Sequence, residues 1–310
     1  MQYQDTVAEI VKNVEKAVIG KKTVVEMIIA AMLSKGCVLI EDVPGVGKTQ
    51  LVSALANSCG GVFGRMQFTP DIMPNDITGF TMIDTKTHER EFIRGAAFCN
   101  FLLADEINRA SPKSQSALLE VMEERQVSAD GVTYPLPSPF MVLATQNPVE
   151  TYGTYHLPEA QMDRFIIKIK IGYPGHENEL AILENNRLNV NAATLSPVTD
   201  LNTIEKMSEE ANEVKCAGLL ADYIVTICES TRNSEFVRMG ASPRGSIALY
   251  RMAKSWAYVQ GRDYVIPDDI KLIAPFVLSH RLIMTPKGQS VFPARDDFIR
   301  DLVDGIKVPV

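Results

Sequence analysis

A glycine-rich turn between an apolar run and a helical pattern constrains this chain more than any other feature. Residues 37–49 read Cys-Val-Leu-Ile-Glu-Asp-Val-Pro-Gly-Val-Gly-Lys-Thr. The run 38–40 predicts a buried parallel strand, and the apolar residues of 51–56 follow at helical spacing. A strand, a glycine turn and a helix in this order are the context of a phosphate-binding loop. The chain is therefore predicted to bind a phosphate-bearing ligand at this turn.

The residue types of the turn predict how phosphates would be held. Glycines let backbone N–H groups approach a phosphate, and the helix N-terminus adds positive partial charge. Lys48 is predicted to reach the β- and γ-phosphates of ATP, and Thr49 offers a hydroxyl to Mg²⁺. The predicted loop contacts are Pro44, Gly45, Val46, Gly47, Lys48, Thr49 and Gln50.

One residue departs from the strict pattern of this loop. The pattern has a glycine five residues before Gly47, where this chain has Asp42. Because aspartate adopts unusual backbone angles less readily than glycine, the departure weakens the match slightly. The glycines and the Lys-Thr pair that follow are retained, so nucleotide binding is still expected.

Composition limits the kind of protein and its partners. The chain has 310 residues, 46% hydrophobic and 22% charged, which is typical of a soluble globular protein of one or two domains. A net charge of −7 and the lack of a long basic run make nucleic acid an unexpected partner. Neither a membrane-length apolar segment nor an export signal is visible. With five cysteines lacking C-x-x-C spacing, this predicts a cytoplasmic protein without membrane insertion.

The pattern of elements predicts two domains of different class. Up to about residue 192, apolar strands alternate with helices, which indicates an α/β domain with a parallel sheet covered on both faces. Hairpins are predicted near 80–93 and 126–139, the second around Asp130-Gly131. From 193 to 310 the predicted elements are helices only, at 201–213, 217–232, 243–260 and 267–279.

Two adjacent carboxylates after the next apolar strand predict the chemistry. Asp105 and Glu106 follow the run 101–104. Asp105 can complete the Mg²⁺ site that Thr49 begins, and Glu106 can act as general base toward an attacking water. An acidic pair is also a common start of a loop, so this interpretation depends on the phosphate loop upstream.

Asn147 and Arg164 each have a functional and a structural interpretation. Asn147 ends a strand and could orient water beside the γ-phosphate, or it could simply form a turn before Pro148. Arg164 could pair with Asp163, or its guanidinium could reach a neighbouring subunit's γ-phosphate.

Arg244 stands where the local rules disfavour a cation. Ser242 caps a predicted helix and Pro243 begins it, so Arg244 lies in the first turn, against the helix dipole. This conflict suggests a task beyond helix stability, the alternative being an ordinary surface arginine.

These motifs together resemble the AAA+ ATPases, specifically the MoxR family. The resemblance rests on residues 67–71, 102–110, 144–148, 157–165 and 241–244 in addition to the phosphate loop. It implies that Lys48 and Thr49 belong to Walker A and that Asp105 and Glu106 belong to Walker B. It further implies that Asn147 is sensor 1, Arg164 the arginine finger and Arg244 the sensor 2 of the lid, with hairpin insertions near 77–95 and 126–139.

The resemblance also implies partners and a mode of action. It implies a homo-oligomer in the form of a hexameric ring that remodels or matures protein clients, including proteins with von Willebrand A-type domains. Nucleotide is expected between the α/β domain and the helical lid, with Ile19 and Gly20 on the adenine side. Two alternatives stay open: a DNA translocase or helicase, and a non-catalytic nucleotide-dependent scaffold.

Overall fold

The computed structural model describes residues 2–83, 88–148, 155, 157–187 and 191–308. The strands are β1 (Cys37–Glu41), β2 (Phe63–Gln67), β3 (Gly79–Ile83), β4 (Arg90–Arg94), β5 (Phe101–Asp105), β6 (Gln126–Ala129), β7 (Val132–Pro135), β8 (Met141–Gln146), β9 (Phe165–Ile169), β10 (Val237–Met239) and β11 (Ile283–Met284). The helices are α1 (Gln4–Glu15), α2 (Lys22–Leu33), α3 (Lys48–Ser58), α4 (Pro74–Thr78), α5 (Pro112–Glu124), α6 (Glu159–Met162), α7 (His176–Arg187), α8 (Leu201–Glu213), α9 (Gly218–Asn233), α10 (Pro243–Val259), α11 (Pro267–Leu278), α12 (Pro286–Val291) and α13 (Arg295–Gly305).

A five-stranded parallel sheet in the order β2-β5-β8-β1-β9 forms the centre of the α/β part. Successive residues of β1 point to opposite faces and enter different cores. Val38 and Ile40 pack with the buried residues of α1, α2 and α3, whereas Cys37 and Leu39 pack with those of α5. The predicted parallel sheet with both faces covered is confirmed.

The two predicted hairpins are present and contact each other. β3 pairs with β4, and β6 pairs with β7, both antiparallel. Asp130 and Gly131 form the predicted turn with φ of 50° and 79°, a left-handed conformation that suits a tight two-residue hairpin turn. Phe92 of the first hairpin stacks on Tyr134 of the second, with ring centroids 3.9 Å apart. Residues 84–87, within the first predicted hairpin, lie outside the described residues.

One predicted helix ends earlier in the structure, and one observed helix was not predicted. The apolar pattern that begins at residue 5 predicts a helix to Val18, but α1 ends at Glu15 and a turn with Gly20 at φ +71° follows. Helix α7 was not predicted, because its polar sequence lacks the apolar stripe that a surface helix usually shows.

The C-terminal part is helical as predicted, with additions that periodicity did not indicate. α8, α9, α10 and α11 match the four predicted helices closely, whereas α12, α13 and the short antiparallel pair β10–β11 were not predicted. These strands hold three and two residues, too few for an alternating pattern to be recognised.

The α/β part and the lid share one hydrophobic core. Buried residues of α1 and α2 belong to the same cluster as those of α8, α9, α10 and α11. Ser34 Oγ, just after α2, lies 2.8 Å from Ser255 Oγ of α10, and Ser208 Oγ of α8 donates to the Leu33 carbonyl oxygen at 2.6 Å. The predicted boundary between residues 192 and 193 falls in a 3-10 turn, Ala192–Thr194, and stays a prediction. In the part of the chain described here, no helix combines the length and apolarity needed to cross a bilayer.

Candidate active site

Three neighbouring strands bring the predicted site residues to one edge of the sheet. β8 lies between β5 and β1, and all three run parallel, so their carboxyl ends meet. β1 leads into the phosphate loop, β5 ends at Asp105, and Asn147 directly follows β8. The crevice outside the carboxyl ends of parallel strands is the usual ligand site of such sheets. Motifs that are far apart in the sequence therefore meet in one candidate site.

The phosphate loop has the backbone geometry that its glycines predict. Gly45 and Gly47 have φ of 86° and 88°, and a Cβ at either position would meet no atom within 4 Å. The loop therefore faces open space large enough for a ligand atom to approach its backbone. Lys48 begins α3, and its Nζ donates a hydrogen bond to the carbonyl oxygen of Asp42 at 2.7 Å.

Lys48 interacts electrostatically with acidic residues at the ends of β1 and β5. Burial lowers the pKa of Lys48, and the carboxylates of Asp105, Asp42 and Glu106 oppose that shift. The same negative groups would favour Lys48 in its charged form, which is the form that binds phosphate.

A threonine on β8 holds both carboxylate residues of the pair. Thr145 is fully buried, and its hydroxyl donates to Asp105 Oδ1 at 2.6 Å while accepting from the Glu106 backbone N–H at 2.9 Å. Arg65 of β2 donates to the other carboxylate oxygen of Asp105 at 3.0 Å. Asp105 is thus oriented from both neighbouring strands. Sequence reasoning missed Thr145, because a threonine on an apolar strand is an ordinary β-sheet residue.

Glu106 has a backbone conformation that is unfavourable for most side chains. Its φ of 58° and ψ of 49° lie in the left-handed region, and such strain persists where surrounding contacts over-determine it. Its Oε2 accepts from Gln67 Nε2 at 2.8 Å and from Arg109 Nε at 3.0 Å. The carboxylate is therefore held by one side chain from β2 and by another from the turn after β5. Gln67 lies in one of the family-like motifs, but nothing in the sequence indicates that it reaches Glu106.

The oxygen ligands at this edge of the sheet fit a Mg²⁺ ion that binds together with a nucleotide. Within the described ranges, no group of three or more His, Cys, Asp or Glu side chains could hold a metal by itself. Thr49 lies in the first turn of α3 and Asp105 ends β5, so one hydroxyl and one carboxylate are available. Mg²⁺ usually takes only one or two protein ligands and completes its shell with waters and substrate phosphates. The residues present therefore fit this ion together with a nucleotide.

The remaining predicted contacts on the α/β part differ in accessibility. Asn147 is 6% exposed and lines a cavity of about 560 Å³ with Glu41 and Lys168, which pair at 3.0 Å. Ile19 is half-buried and Gly20 is exposed on the turn before α2. The side chain of Gln50, predicted to contact nucleotide, accepts a hydrogen bond from the Ala192 backbone N–H at 3.0 Å.

The two predicted functional arginines lie together, on the same glutamate. Glu123, near the end of α5, contacts Arg164 Nε at 3.3 Å through one oxygen and Arg244 at 2.7 Å through the other. Both arginines line a cavity of about 210 Å³, and among the described residues its lining includes no part of the phosphate loop. The two arginines therefore line a cavity to which the phosphate loop does not contribute, although a lid arginine was expected to share a site with Lys48.

The structural interpretation of Arg164 as a partner of Asp163 is wrong. Asp163 instead pairs with Arg281 Nε at 2.7 Å and accepts from Ser242 Oγ at 2.9 Å. Arg281 is 6% exposed and also donates to the Phe165 carbonyl oxygen at 2.7 Å. The acid next to Arg164 is thus used to join the sheet to the lid, which leaves Glu123 as the partner of Arg164.

Sequence comparisons identify the chain's relatives. Residues 37–167 match the ATPase family associated with various cellular activities (AAA), and residues 229–302 match the AAA lid domain. Chaperone MoxR1 of Mycobacterium tuberculosis is 44% identical over 289 residues, covering 90% of this chain and 76% of that protein. The chain belongs to the MoxR family of AAA+ ATPases. The resemblance drawn from its motifs is confirmed.

Other relatives of this MoxR-family protein span the full chain. An uncharacterised protein of Bacillus subtilis, YeaC, is 45% identical over 314 residues and covers 100% of this chain and 98% of its own length. A crystal structure of a candidate ATPase from Cytophaga hutchinsonii superposes with a TM-score of 0.92 at 37% identity, covering 100% of this chain and 96% of that one. Family membership makes this protein a nucleotide-binding AAA+ ATPase with an α/β domain followed by a lid.

Proposed function

We propose that this MoxR-family protein hydrolyses ATP with Mg²⁺ and uses the energy to remodel or mature protein clients. The convergence of Lys48, Asp105 and Glu106 at one edge of the sheet carries the catalytic part. The client part is supported by a relative that is named as a chaperone. The expected cytoplasmic location belongs to the same proposal.

The proposed roles follow from where each side chain lies. Lys48 binds the β- and γ-phosphates, and Thr49 with Asp105 holds Mg²⁺, which neutralises phosphate charge when bound. Glu106 takes the proton from the attacking water, and Asn147 orients that water beside the γ-phosphate. The hydrogen bonds from neighbouring strands to Asp105 and Glu106 support these roles, because a catalytic group must be held in one geometry.

The arginine pair supports action between subunits. Arg164 and Arg244 share Glu123 and line a cavity to which the phosphate loop does not contribute, so we assign both to the nucleotide of a neighbouring subunit in a homo-oligomeric ring. A guanidinium delivered in this way stabilises charge on the γ-phosphate during transfer. Six subunits and clients with von Willebrand A-type domains are what the family resemblance implies.

Two single substitutions test the catalytic roles. Lys48→Ala should weaken ATP binding at least about tenfold, since a charge-assisted phosphate contact is lost. Glu106→Gln should bind ATP within about twofold of wild type and hydrolyse it about 100-fold more slowly, because the base is lost while the metal ligands remain. ATP affinity by calorimetry and phosphate release measure the two effects. Glu9→Gln, on the exposed side of α1, is the control.

Equal loss of ATP binding in the Lys48 and Glu106 variants would contradict the assigned roles. Glu106→Gln held in ATP should also retain client proteins in a pull-down, and failure to retain any protein specifically would count against remodelling. A non-catalytic scaffold predicts no turnover by wild type.

A DNA motor is the alternative function that a salt series tests. The net charge of −7 predicts weak binding of duplex DNA and no stimulation of phosphate release. Phosphate release with and without DNA at two salt concentrations measures this. Stimulation that fades as salt rises would replace the protein-remodelling proposal with a DNA motor.

A further inference from the structure

Asp42 stands where the strict phosphate-loop pattern has glycine, and its side chain is used structurally. It is 8% exposed, and its carboxylate accepts three backbone N–H groups: Val43 at 2.8 Å, Ile171 at 2.7 Å and Gly172 at 2.6 Å. Its φ is not positive, so the position does not need the conformational freedom of glycine. Asp42 in place of glycine therefore causes no backbone strain at this position, and its carboxylate binds the segment that follows β9.

The segment 171–173 is held from its other side by Lys21. Lys21 Nζ donates to the carbonyl oxygens of Ile171 at 2.8 Å, Gly172 at 3.0 Å and Tyr173 at 2.9 Å. An aspartate therefore binds the N–H groups of this segment while a lysine binds its carbonyl groups. Hydrogen bonds to charged partners are about twice as strong as neutral ones, so the segment is firmly placed between the two residues.

This arrangement joins the two ends of the candidate nucleotide site. Asp42 is in contact with the phosphate side, because its carbonyl oxygen accepts from Lys48 Nζ at 2.7 Å. Lys21 directly follows Gly20, on the turn assigned to the adenine side. Helix α7, which begins after the segment, reaches the same turn: a Cβ on Gly20 would lie 2.2 Å from Asn178 Nδ2. One connected set of charge-assisted hydrogen bonds therefore spans the site from the phosphate lysine to the adenine turn.

We propose that Asp42 and Lys21 are positioning residues that set the distance between the phosphate loop and the adenine turn. This inference rests on the proposed ATP binding. A site whose two ends are held before binding loses less freedom when nucleotide arrives, so affinity for the whole nucleotide is higher. A ligand that contacts only the phosphate loop gains little from this arrangement. Glycine at position 42, which restores the strict pattern, therefore weakens ATP binding.

The experiment compares ATP with inorganic tripolyphosphate, which lacks the nucleoside. Asp42→Gly and Lys21→Met should each lower ATP affinity about tenfold or more in calorimetry with Mg²⁺. Their affinity for tripolyphosphate should change less than about threefold, because the phosphate loop keeps its glycines and Lys48. Asp42→Asn keeps one carbonyl oxygen for Ile171 and Gly172 and should recover part of the lost ATP affinity.

The neighbouring lysine provides a matched control. Lys22 is 66% exposed and pairs only loosely with Glu26, at 3.8 Å, so Lys22→Met should bind both ligands as wild type does. Asp42→Gly that binds ATP as tightly as wild type would overturn the positioning role but not the proposed function. An equal loss of ATP and tripolyphosphate affinity in that variant would do the same. Should Asp42→Gly fail to fold, unchanged ATP affinity in Lys21→Met overturns it. Failure of wild type to bind ATP would instead overturn the proposed function as well.

Discussion

At the scale of single residues, the acidic pair is held by neighbours to which the sequence analysis assigned no role. Thr145 connects Asp105 to the backbone of Glu106, and Gln67 binds the Glu106 carboxylate. A carboxylate that must act as a base is useful only in one orientation, so these contacts matter as much as the acid itself. The acidic pair can be recognised in the sequence. Thr145 and Gln67 cannot be recognised as its partners until the order of the strands in the sheet is known.

Four of the five cysteines are buried, and Cys216 is half-buried. Burial raises the pKa of Cys37 to about 11, and it raises the pKa of Cys59 and of Cys99 to about 12. The reactive thiolate is therefore scarce near neutral pH at these three positions. Buried cysteines of this kind pack as small apolar side chains.

A buried histidine predicts how stability depends on pH. His280 is 1% exposed, and burial followed by the charge of Arg281 holds its pKa well below the usual 6.5. The unfolded chain therefore binds a proton that the native protein does not, once the pH falls below about 6.5. The free energy of unfolding is unaffected by this group above that pH and should fall by up to about 1.4 kcal/mol per pH unit below it.

Urea unfolding at pH 7.5 and 5.5 measures this effect. His280→Gln should reduce the loss of stability between the two pH values by about 1 kcal/mol, since its amide does not titrate. His176→Gln, exposed at the start of α7, is the matched control and should keep the wild-type difference. The same pH dependence in His280→Gln and wild type would show that other groups cause it.

At the scale of elements, the two hairpins contact each other through aromatic side chains. Phe92 and Tyr134 stack with their planes 7° apart, and Phe98 and Phe92 form a T-shaped pair with centroids 5.6 Å apart. The first hairpin exposes apolar side chains, including Phe80 and Ile83, at 44% and 60% exposure. The aromatic stack therefore joins an apolar surface hairpin to the hairpin that follows α5.

Loss of the stack should loosen the first hairpin. Aromatic pairs contribute about 1 kcal/mol beyond burial, so Tyr134→Ala should speed amide hydrogen exchange in β3 and β4 about fivefold. Tyr134→Phe keeps the ring and should exchange within about twofold of wild type. Hydrogen exchange with mass spectrometry resolves these segments. Equal exchange in Tyr134→Ala and Tyr134→Phe would show that the stack does not hold the hairpins together.

At the scale of the whole molecule, the lid is part of the main core. Helices α1 and α2 precede the phosphate loop in sequence but pack among the helices of the C-terminal part. Tyr258 of α10 illustrates this, because it is fully buried and its hydroxyl donates to Glu210 of α8, which also binds the Gln2 backbone N–H. The two predicted domains are therefore expected to unfold together.

The protein's single tryptophan tests this cooperativity. Trp256 lies on α10 and is 5% exposed, so its fluorescence reports on the lid, whereas far-ultraviolet circular dichroism reports on all helices. We expect the two urea transitions to coincide, as they do when unfolding is two-state. A fluorescence midpoint at clearly lower urea would indicate a lid that unfolds by itself.

Subunit mixing tests the assignment of both arginines to the neighbour's nucleotide. Arg164→Ala should lose hydrolysis by about 10³-fold while binding ATP, and mixing with Lys48→Ala should restore part of the activity. In such a ring, one subunit supplies the phosphate loop and its neighbour supplies the arginine. Because Arg244 shares Glu123 with Arg164, Arg244→Ala should be restored in the same way.

The control for mixing is a pair of lesions in the same site. Glu106→Gln mixed with Lys48→Ala should stay inactive, since each defect lies in the subunit's own site. Absence of recovery in rings shown to contain both subunits would remove the role between subunits from whichever arginine fails. If mixing restores hydrolysis to Arg164→Ala but not to Arg244→Ala, Arg244 would be assigned to the nucleotide of its own subunit.

The sequence by itself determined the fold class, the family and the core of the candidate site. The phosphate loop and the acidic pair are local motifs, and each strand or helix around them has a periodicity that depends only on near neighbours. Because parallel strands present their carboxyl ends at one edge, motif order alone predicted that Lys48, Asp105 and Glu106 would meet.

Only the tertiary structure decided what holds those residues and where the two arginines lie. Asp42 binds Gly172, which is 130 residues away, and Arg244 binds Glu123 at a separation of 121 residues. Such pairs leave no periodic or spacing signal, because each partner alone has an ordinary local role: a loop acid, a backbone amide or a helix-end glutamate. The same reason explains why the shared core of α1, α2 and the lid could not be predicted: an apolar helix face indicates burial, but it does not indicate the partner that covers it.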